Sequence, residues 1–221
     1  MVSSPWARLS PPVVDAQPGN HYCDRMTCAR ISSRMAIWFA IAAIGLEIVA
    51  SGLYWAAGGF PKGLDVDPRV LLKAGSSGAT LIRWGSLVDL FGYLCIAPVV
   101  LHLRERYAAS RFSDLWAAAG LALVVIGSIG AATMAAAAPP LINEYAAGTS
   151  AQRPALEPVF ATLYRSVVVG IWQTLETIPA TVWLLGTATA ARKQGPRADF
   201  LILSVLGVIT GGIALDRLVA Y

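Results

Sequence analysis

The sequence predicts an all-α fold, a polytopic transmembrane helix bundle of about five spans. Of the 221 residues, 56% are hydrophobic and only 14% are charged, whereas a soluble globular domain carries about 25% charged residues. The charged residues are nearly absent from five long windows and are concentrated between them. This alternation is typical of a multi-pass helical membrane protein.

The five apolar windows each reach the ~20 residues that a helix needs to cross a ~30 Å hydrocarbon layer. Pro179 in the fourth window is compatible with a membrane helix when neighbouring groups satisfy the carbonyl that it frees. We therefore predict spans at residues 35–58, 81–103, 115–138, 164–191 and 200–219.

The segments outside the windows predict a tail and two larger loops. Residues 1–34 contain four prolines, one glycine and several serines without periodicity, which predicts a disordered N-terminal tail before a transmembrane domain at 35–221. Residues 59–80 are too polar for a sixth span, although 69–74 are compatible with a short interfacial helix. Residues 139–158, rich in proline and alanine, are predicted to form a loop.

The distribution of lysine and arginine predicts how the chain is oriented in a plasma (cytoplasmic) membrane. With the N-terminus inside, ten of the 17 basic residues fall in inner segments and seven in outer ones. Because positively charged loops stay on the cytoplasmic side, we expect the N-terminus inside and the C-terminus outside. Trp38 near the inner end of the first span, and Tyr54 with Trp55 near its outer end, are placed at the headgroup level.

Three carboxylates interrupt the apolar windows: Glu47 in the first, Asp89 in the second and Glu176 in the fourth. A charged side chain at the centre of a bilayer costs roughly 2.5–3.5 kcal/mol on insertion scales, so such residues usually face a bundle interior or a cavity. At a rise of 1.5 Å per residue, all three lie roughly 12–18 Å below the outer boundary. We therefore expect them to face one shared space.

Other polar side chains accompany this layer. Arg83 and Arg165 are placed above it, and Gln173 and Tyr93 add hydrogen-bonding groups nearby. On the fourth helix Arg165, Trp172 and Glu176 are spaced i, i+7 and i+11, which predicts a common face. The candidate ligand or proton site consists of Glu47, Asp89, Glu176, Arg83, Arg165, Gln173 and Tyr93.

Three interpretations of the acids stay open. In the first, they line a polar cavity open to the outer face that binds a proton, a cation or a small ligand in transport or sensing. In the second, they only hold the bundle together in a structural or partner-binding subunit. In the third, Glu47 or Glu176 is the general acid or base of a membrane enzyme that acts on lipid.

The sequence offers little for other chemistry, which favours a non-enzymatic protein without a cofactor or metal. Cys23 and Cys28 with His21 provide too few ligands for a structural zinc site, and no basic-aromatic platform indicates nucleic-acid binding. The expected partner is the lipid bilayer. Since five spans without a detectable inverted repeat do not make a complete secondary transporter, a homo-oligomer or a membrane partner is also expected.

Overall fold

The computed structural model describes residues 32–58 and 67–219, and this part of the chain is helical without a strand. In chain order the helices are α1 (Ser33–Gly58), α2 (Pro68–Leu72), α3 (Gly75–Arg106), α4 (Ser113–Ala147), α5 (Arg153–Tyr164), a π-helix (Arg165–Leu175), α6 (Thr177–Gln194) and α7 (Arg197–Val219). The predicted disordered tail lies outside the described residues, apart from its last three positions.

Five helical stretches are long and apolar enough to cross a membrane: α1, α3, α4, the continuous stretch Arg153–Gln194, and α7. Their outward faces carry large apolar side chains, including Trp38, Ile48 and Val208, each about two-thirds exposed. An apolar surface of this extent is covered by lipid in a membrane protein. The prediction of an all-α bundle with five spans is therefore confirmed.

The helices pack in a chain of neighbours. The helix α1 lies along α3, α3 packs on α4, α4 packs on the π-helix and α6, and α6 packs on α7. One apolar core is built around Ile82, Met134, Ile142, Phe160 and Val167. A second core is built around Val100, Leu123, Ala180 and Trp183. Along α3 and the fourth span, Asp89 and Glu176 lie between the positions that contribute to these two cores.

The predicted loop at 139–158 is wrong, because α4 continues to Ala147 and α5 begins at Arg153. Pro139 and Pro140 lie inside α4, where a proline removes a backbone hydrogen bond at a cost of ~3 kcal/mol or more in a soluble helix. Ala138 and Ile142, which flank the prolines, are fully buried in the same core as Phe160 of α5. This apolar packing favours continuation of the helix, and only residues 148–152 connect α4 to α5.

The short helix expected at 69–74 is confirmed as α2. Asp67 caps it, since its side chain accepts a hydrogen bond from the backbone N–H of Arg69 at 3.0 Å, and Pro68 occupies the first turn. A capping aspartate followed by proline is a common helix start. The helix buries Leu71 and Leu72 in the core shared with α5.

The fourth span contains a change of helix type that the sequence analysis did not predict. Residues Arg165–Leu175 form a π-helix, and the backbone N–H of Glu176 still donates to the carbonyl of Ile171 at 2.8 Å, five residues back. The 3.6-residue period behind the predicted common face does not hold here. Arg165 is exposed, whereas Trp172 and Glu176 contact α4 and α3.

A buried tyrosine and paired charges join the helices at the end of the bundle where α3 finishes. The Tyr107 hydroxyl donates to Asp199 Oδ2 at 2.9 Å, and Arg106 Nη2 lies 2.9 Å from the same oxygen. Burial, and after it the hydrogen bond to Asp199, raises the pKa of the Tyr107 hydroxyl above its ordinary value. Arg104 Nε lies 2.7 Å from Asp114 Oδ1, which joins α3 to α4 at this end.

Two glycines of α4 allow aromatic rings to pack directly on its backbone. A side chain at Gly127 would overlap the Tyr93 ring of α3, and one at Gly130 would overlap the Trp172 indole of the π-helix. Small residues at membrane helix interfaces permit such close approach. The observed positions of the Tyr93 and Trp172 rings therefore require glycine at Gly127 and Gly130.

We predict that Gly127→Ala destabilises the folded protein in detergent. The added methyl collides with a buried ring, and overpacking costs typically 1–3 kcal/mol, against a gain in helix propensity of about 1 kcal/mol. The measurement is the midpoint of thermal unfolding, compared with Gly212→Ala, where the new methyl meets no atom within 4 Å. An equal or higher midpoint for Gly127→Ala than for Gly212→Ala contradicts the packing of Tyr93 on α4.

Candidate functional site

Asp89 lies at the centre of the polar site. Its side chain is buried on α3, and only 6% of the residue is exposed. Its carboxyl group is within hydrogen-bonding reach of Glu47 on α1 and close enough to Glu176 for an electrostatic interaction. The three acids that the sequence placed at one level thus come together from three spans. We call Glu47, Asp89 and Glu176 the carboxylate cluster.

Glu176 is held by a tyrosine from α3. The Tyr93 hydroxyl donates to Glu176 Oε2 at 2.7 Å. Tyr93 follows Asp89 by four residues, so both side chains lie on one face of α3. Glu176 lies at the junction between the π-helix and α6, where the helical turns change width. The bond therefore fixes the carboxylate at the point where the fourth span changes its geometry.

An aromatic wall borders the site on the side of the π-helix. The rings of Tyr54 and Trp172 meet edge to face with centroids 6.5 Å apart. The Tyr54 hydroxyl is 2.7 Å from Ser86 Oγ, and the Trp172 indole N–H donates to the Gly127 carbonyl at 3.3 Å. The polar atoms of this wall are thus satisfied, which buried tyrosine and tryptophan side chains generally require.

Tyr54, Ser86 and Trp172 were absent from the sequence-predicted site. Tyr54 was placed at the headgroup level, but it points inward and is half-buried. A signal for this position existed, since Tyr54 follows Glu47 by seven residues and shares its face of α1. Ser86 gave no comparable signal, because serine is common on membrane helices whether or not it faces a polar site.

Two buried oxygens beside this region have no hydrogen-bond partner among the residues that the structure describes: Gln173 Oε1 and Ser128 Oγ. Gln173 precedes Glu176 by three residues, and Ser128 follows Gly127, on which Tyr93 packs. Buried polar groups are usually paired. These two side chains therefore provide spare acceptor capacity in the middle of the bundle.

Glu47 connects the carboxylate cluster to the surface of the bundle. It is exposed, and so are Ile44 and Ile48 on the adjoining positions of α1. Ile44 and Ile48 make this an apolar face of the kind that lipid covers, so the exposure of Glu47 does not indicate a water-filled opening, and the cavity open to the outer membrane face stays a prediction. Asp89 is buried at the other end of the contact with Glu47.

The two arginines of the predicted site do not join the cluster. Arg83 and Arg165 are both exposed, and neither has an ion pair within the described ranges 32–58 and 67–219. Arg83 precedes Asp89 by six residues, which points it to another side of α3. It lines a separate pocket between α3 and α4. The structure therefore divides the predicted set into an acidic cluster with Tyr93 and two outlying arginines.

Within the described part of the chain, no group of three or more His, Cys, Asp or Glu side chains is arranged to hold a metal ion. Comparisons with protein-family models, curated proteins and solved structures found no match. The geometry of the carboxylate cluster is therefore the basis for proposing a function.

We predict that Tyr93→Phe and Glu176→Met are energetically coupled. Each removes one partner of the 2.7 Å bond, and a hydrogen bond to a charged group contributes about 1.5–3 kcal/mol. The double variant should therefore lose less stability than the sum of the single variants. Unfolding free energies in mixed micelles measure this coupling. Strict additivity would show that the bond does not form.

Proposed function

We propose that this integral membrane protein uses Glu47, Asp89 and Glu176 as a proton site, as a component of transport or sensing. The observation that carries the proposal is the position of Asp89, which is buried, lies within hydrogen-bonding reach of Glu47 on α1, and is close enough to Glu176 of the fourth span for an electrostatic interaction. Deep ionisable residues that contact one another are typical of ion pathways and proton relays in membrane proteins.

Electrostatics supports a positively charged occupant. Two unit negative charges 4 Å apart repel by about 4 kcal/mol at an effective dielectric constant of 20. A third carboxylate adds to this repulsion, and Arg83 and Arg165 lie outside the cluster. Two carboxyl groups form a mutual hydrogen bond only when at least one holds a proton. A bound proton between Glu47 and Asp89 therefore offsets the repulsion.

The arrangement also supports a path for that occupant. Glu47 and Asp89 lie within hydrogen-bonding reach of each other, Asp89 is buried, and Glu176 accepts a hydrogen bond from Tyr93 on the far side. A proton shared by Glu47 and Asp89 would pass from there toward Glu176. The spare oxygen of Gln173 lies three residues from the last acid and supplies a further acceptor.

A structural role is the second candidate, and it too has an observation in its favour. The Tyr93–Glu176 bond and the Glu47–Asp89 contact each join different spans. Acids satisfied in this way stabilise the arrangement of helices without exchanging any ligand. The two roles differ in whether the acids change protonation in the folded protein.

We predict that two carboxyl groups of the cluster share a proton, because a hydrogen bond between them requires one. Infrared spectra of the purified protein in lipid should show absorption from a protonated carboxyl group, and Asp89→Asn should remove or shift that band. Glu144→Gln is the matched control, because Glu144 is an exposed acid at the end of α4, outside the cluster.

A band that is absent from the wild type, or unaffected by Asp89→Asn, contradicts a proton site.

In sealed vesicles with a trapped pH-sensitive dye and an imposed potassium diffusion potential, a transporter acidifies or alkalinises the lumen and Asp89→Asn abolishes the change. A purely structural cluster predicts lower thermal stability for Asp89→Asn and no wild-type flux above that of empty vesicles.

We further propose that the N-terminus is inside and the C-terminus outside a cytoplasmic membrane. The ends of α3 and α6 and the starts of α4 and α7 carry a rim of cations, which contains Arg104, Arg106, Arg111, Arg192, Lys193 and Arg197. Three of them lie over aromatic rings at 5.6–5.9 Å: Arg106, Arg111 and Arg192. A dense basic rim close to span ends favours the cytoplasmic side.

The homo-oligomer or membrane partner expected from the span number stays a prediction.

We predict that alkaline phosphatase fused to the C-terminus is active in intact bacterial cells, whereas green fluorescent protein fused there is dark. Each reporter matures on one side of the membrane only, so the pair reads the orientation of the last span. The same reporters fused after Ala108, which lies in the basic α3–α4 connection, provide the internal control and should give the opposite pattern. Reversal at both positions contradicts the proposed orientation.

A further inference from the structure

A second polar site lies between α3 and α4, apart from the carboxylate cluster. It is a pocket of about 370 Å³, and its lining includes Thr80, Arg83, Trp84, Leu87, Pro139 and Asn143. Small-molecule sites usually have volumes of about 300–1,000 Å³ and combine an apolar lining with a few polar groups. The pocket meets both criteria, and none of the three acids lines it.

The depth of this pocket corresponds to the boundary between headgroups and acyl chains. Arg83 is eight residues from the start of α3, about 12 Å along the axis, and Asn143 is four residues from the end of α4. Trp84 is 58% exposed beside them, and tryptophan is enriched at the membrane interface. The pocket therefore lies where a lipid phosphate meets the hydrocarbon layer.

The side chains that line the pocket can bind an anion next to an apolar surface. The Arg83 guanidinium is exposed and without an ion pair in the described chain, whereas Arg69, Arg104 and Arg106 are each paired with an acid. A guanidinium binds phosphate oxygens through two parallel hydrogen bonds. The Asn143 amide supplies another donor, and Leu87 with Pro139 supplies apolar surface.

We propose that this pocket binds the phosphate of an anionic membrane phospholipid, with Arg83 as its charged partner. A free phosphate ion shares the same chemistry. The lipid is favoured because the pocket combines one cation with apolar walls at interfacial depth, which matches a headgroup with the first part of its acyl chains. This site is independent of the proposed proton site.

The test uses the full chain purified in detergent and examined by native mass spectrometry with added phosphatidylglycerol, with phosphatidylcholine as the zwitterionic comparison. We expect phosphatidylglycerol to be retained in preference to phosphatidylcholine. Arg83→Gln should weaken phosphatidylglycerol binding about tenfold, because it removes a charge-assisted hydrogen bond. Arg165→Gln is the matched control, because Arg165 is equally an exposed arginine of a span but lines a different surface. It should leave retention unchanged.

Equal retention in Arg83→Gln and the wild type overturns the proposal, and so does an equal loss in Arg165→Gln, which would indicate diffuse charge attraction. Displacement of the lipid by millimolar inorganic phosphate would assign the site to the free ion and also overturn the lipid proposal. If Arg83→Gln does not fold, Asn143→Leu replaces it: it keeps the charge, removes the amide donor, and should weaken phosphatidylglycerol retention.

Discussion

The proximity of Asp89 to Glu47 and Glu176 constrains how the spans are arranged. Each acid alone would cost roughly 2.5–3.5 kcal/mol at the bilayer centre on insertion scales. Placed together without a counter-charge, they would also repel one another. The bundle tolerates them because they face one another, share hydrogen bonds and lie beside Tyr93. The positions of α1, α3 and the fourth span are therefore linked through one small polar region.

Small residues and an altered helix make this convergence possible. Gly127 and Gly130 let the rings of Tyr93 and Trp172 lie on the backbone of α4, which brings α3 and the fourth span close to it. The π-helix then widens the fourth span just before Glu176. π-Helical turns occur frequently at functional sites. Apolar cores on both sides of this layer supply the packing that holds the polar groups in place.

Much of this architecture could be predicted from the sequence, since hydrophobic length determines where a chain crosses lipid. The level shared by Glu47, Asp89 and Glu176 also followed from counting residues along helices of known rise. The extension of α4 through Pro139 and Pro140 could not be predicted, because it depends on packing of Ile142 against α5. The place of Arg165 was missed because the helical period changes in the fourth span. The place of Tyr54 was missed because it depends on a contact with Trp172 across the bundle.

Cysteine cross-linking in native membranes tests the central contact most directly. The natural Cys23, Cys28 and Cys95 are first replaced by serine, and Glu47→Cys is then combined with Asp89→Cys. Mild oxidation or a short thiol-reactive linker should join the two positions within one chain, whereas Glu47→Cys paired with Glu144→Cys should remain unlinked. Failure of the first pair to cross-link, with both thiols shown to be reactive, would contradict the convergence of the acids.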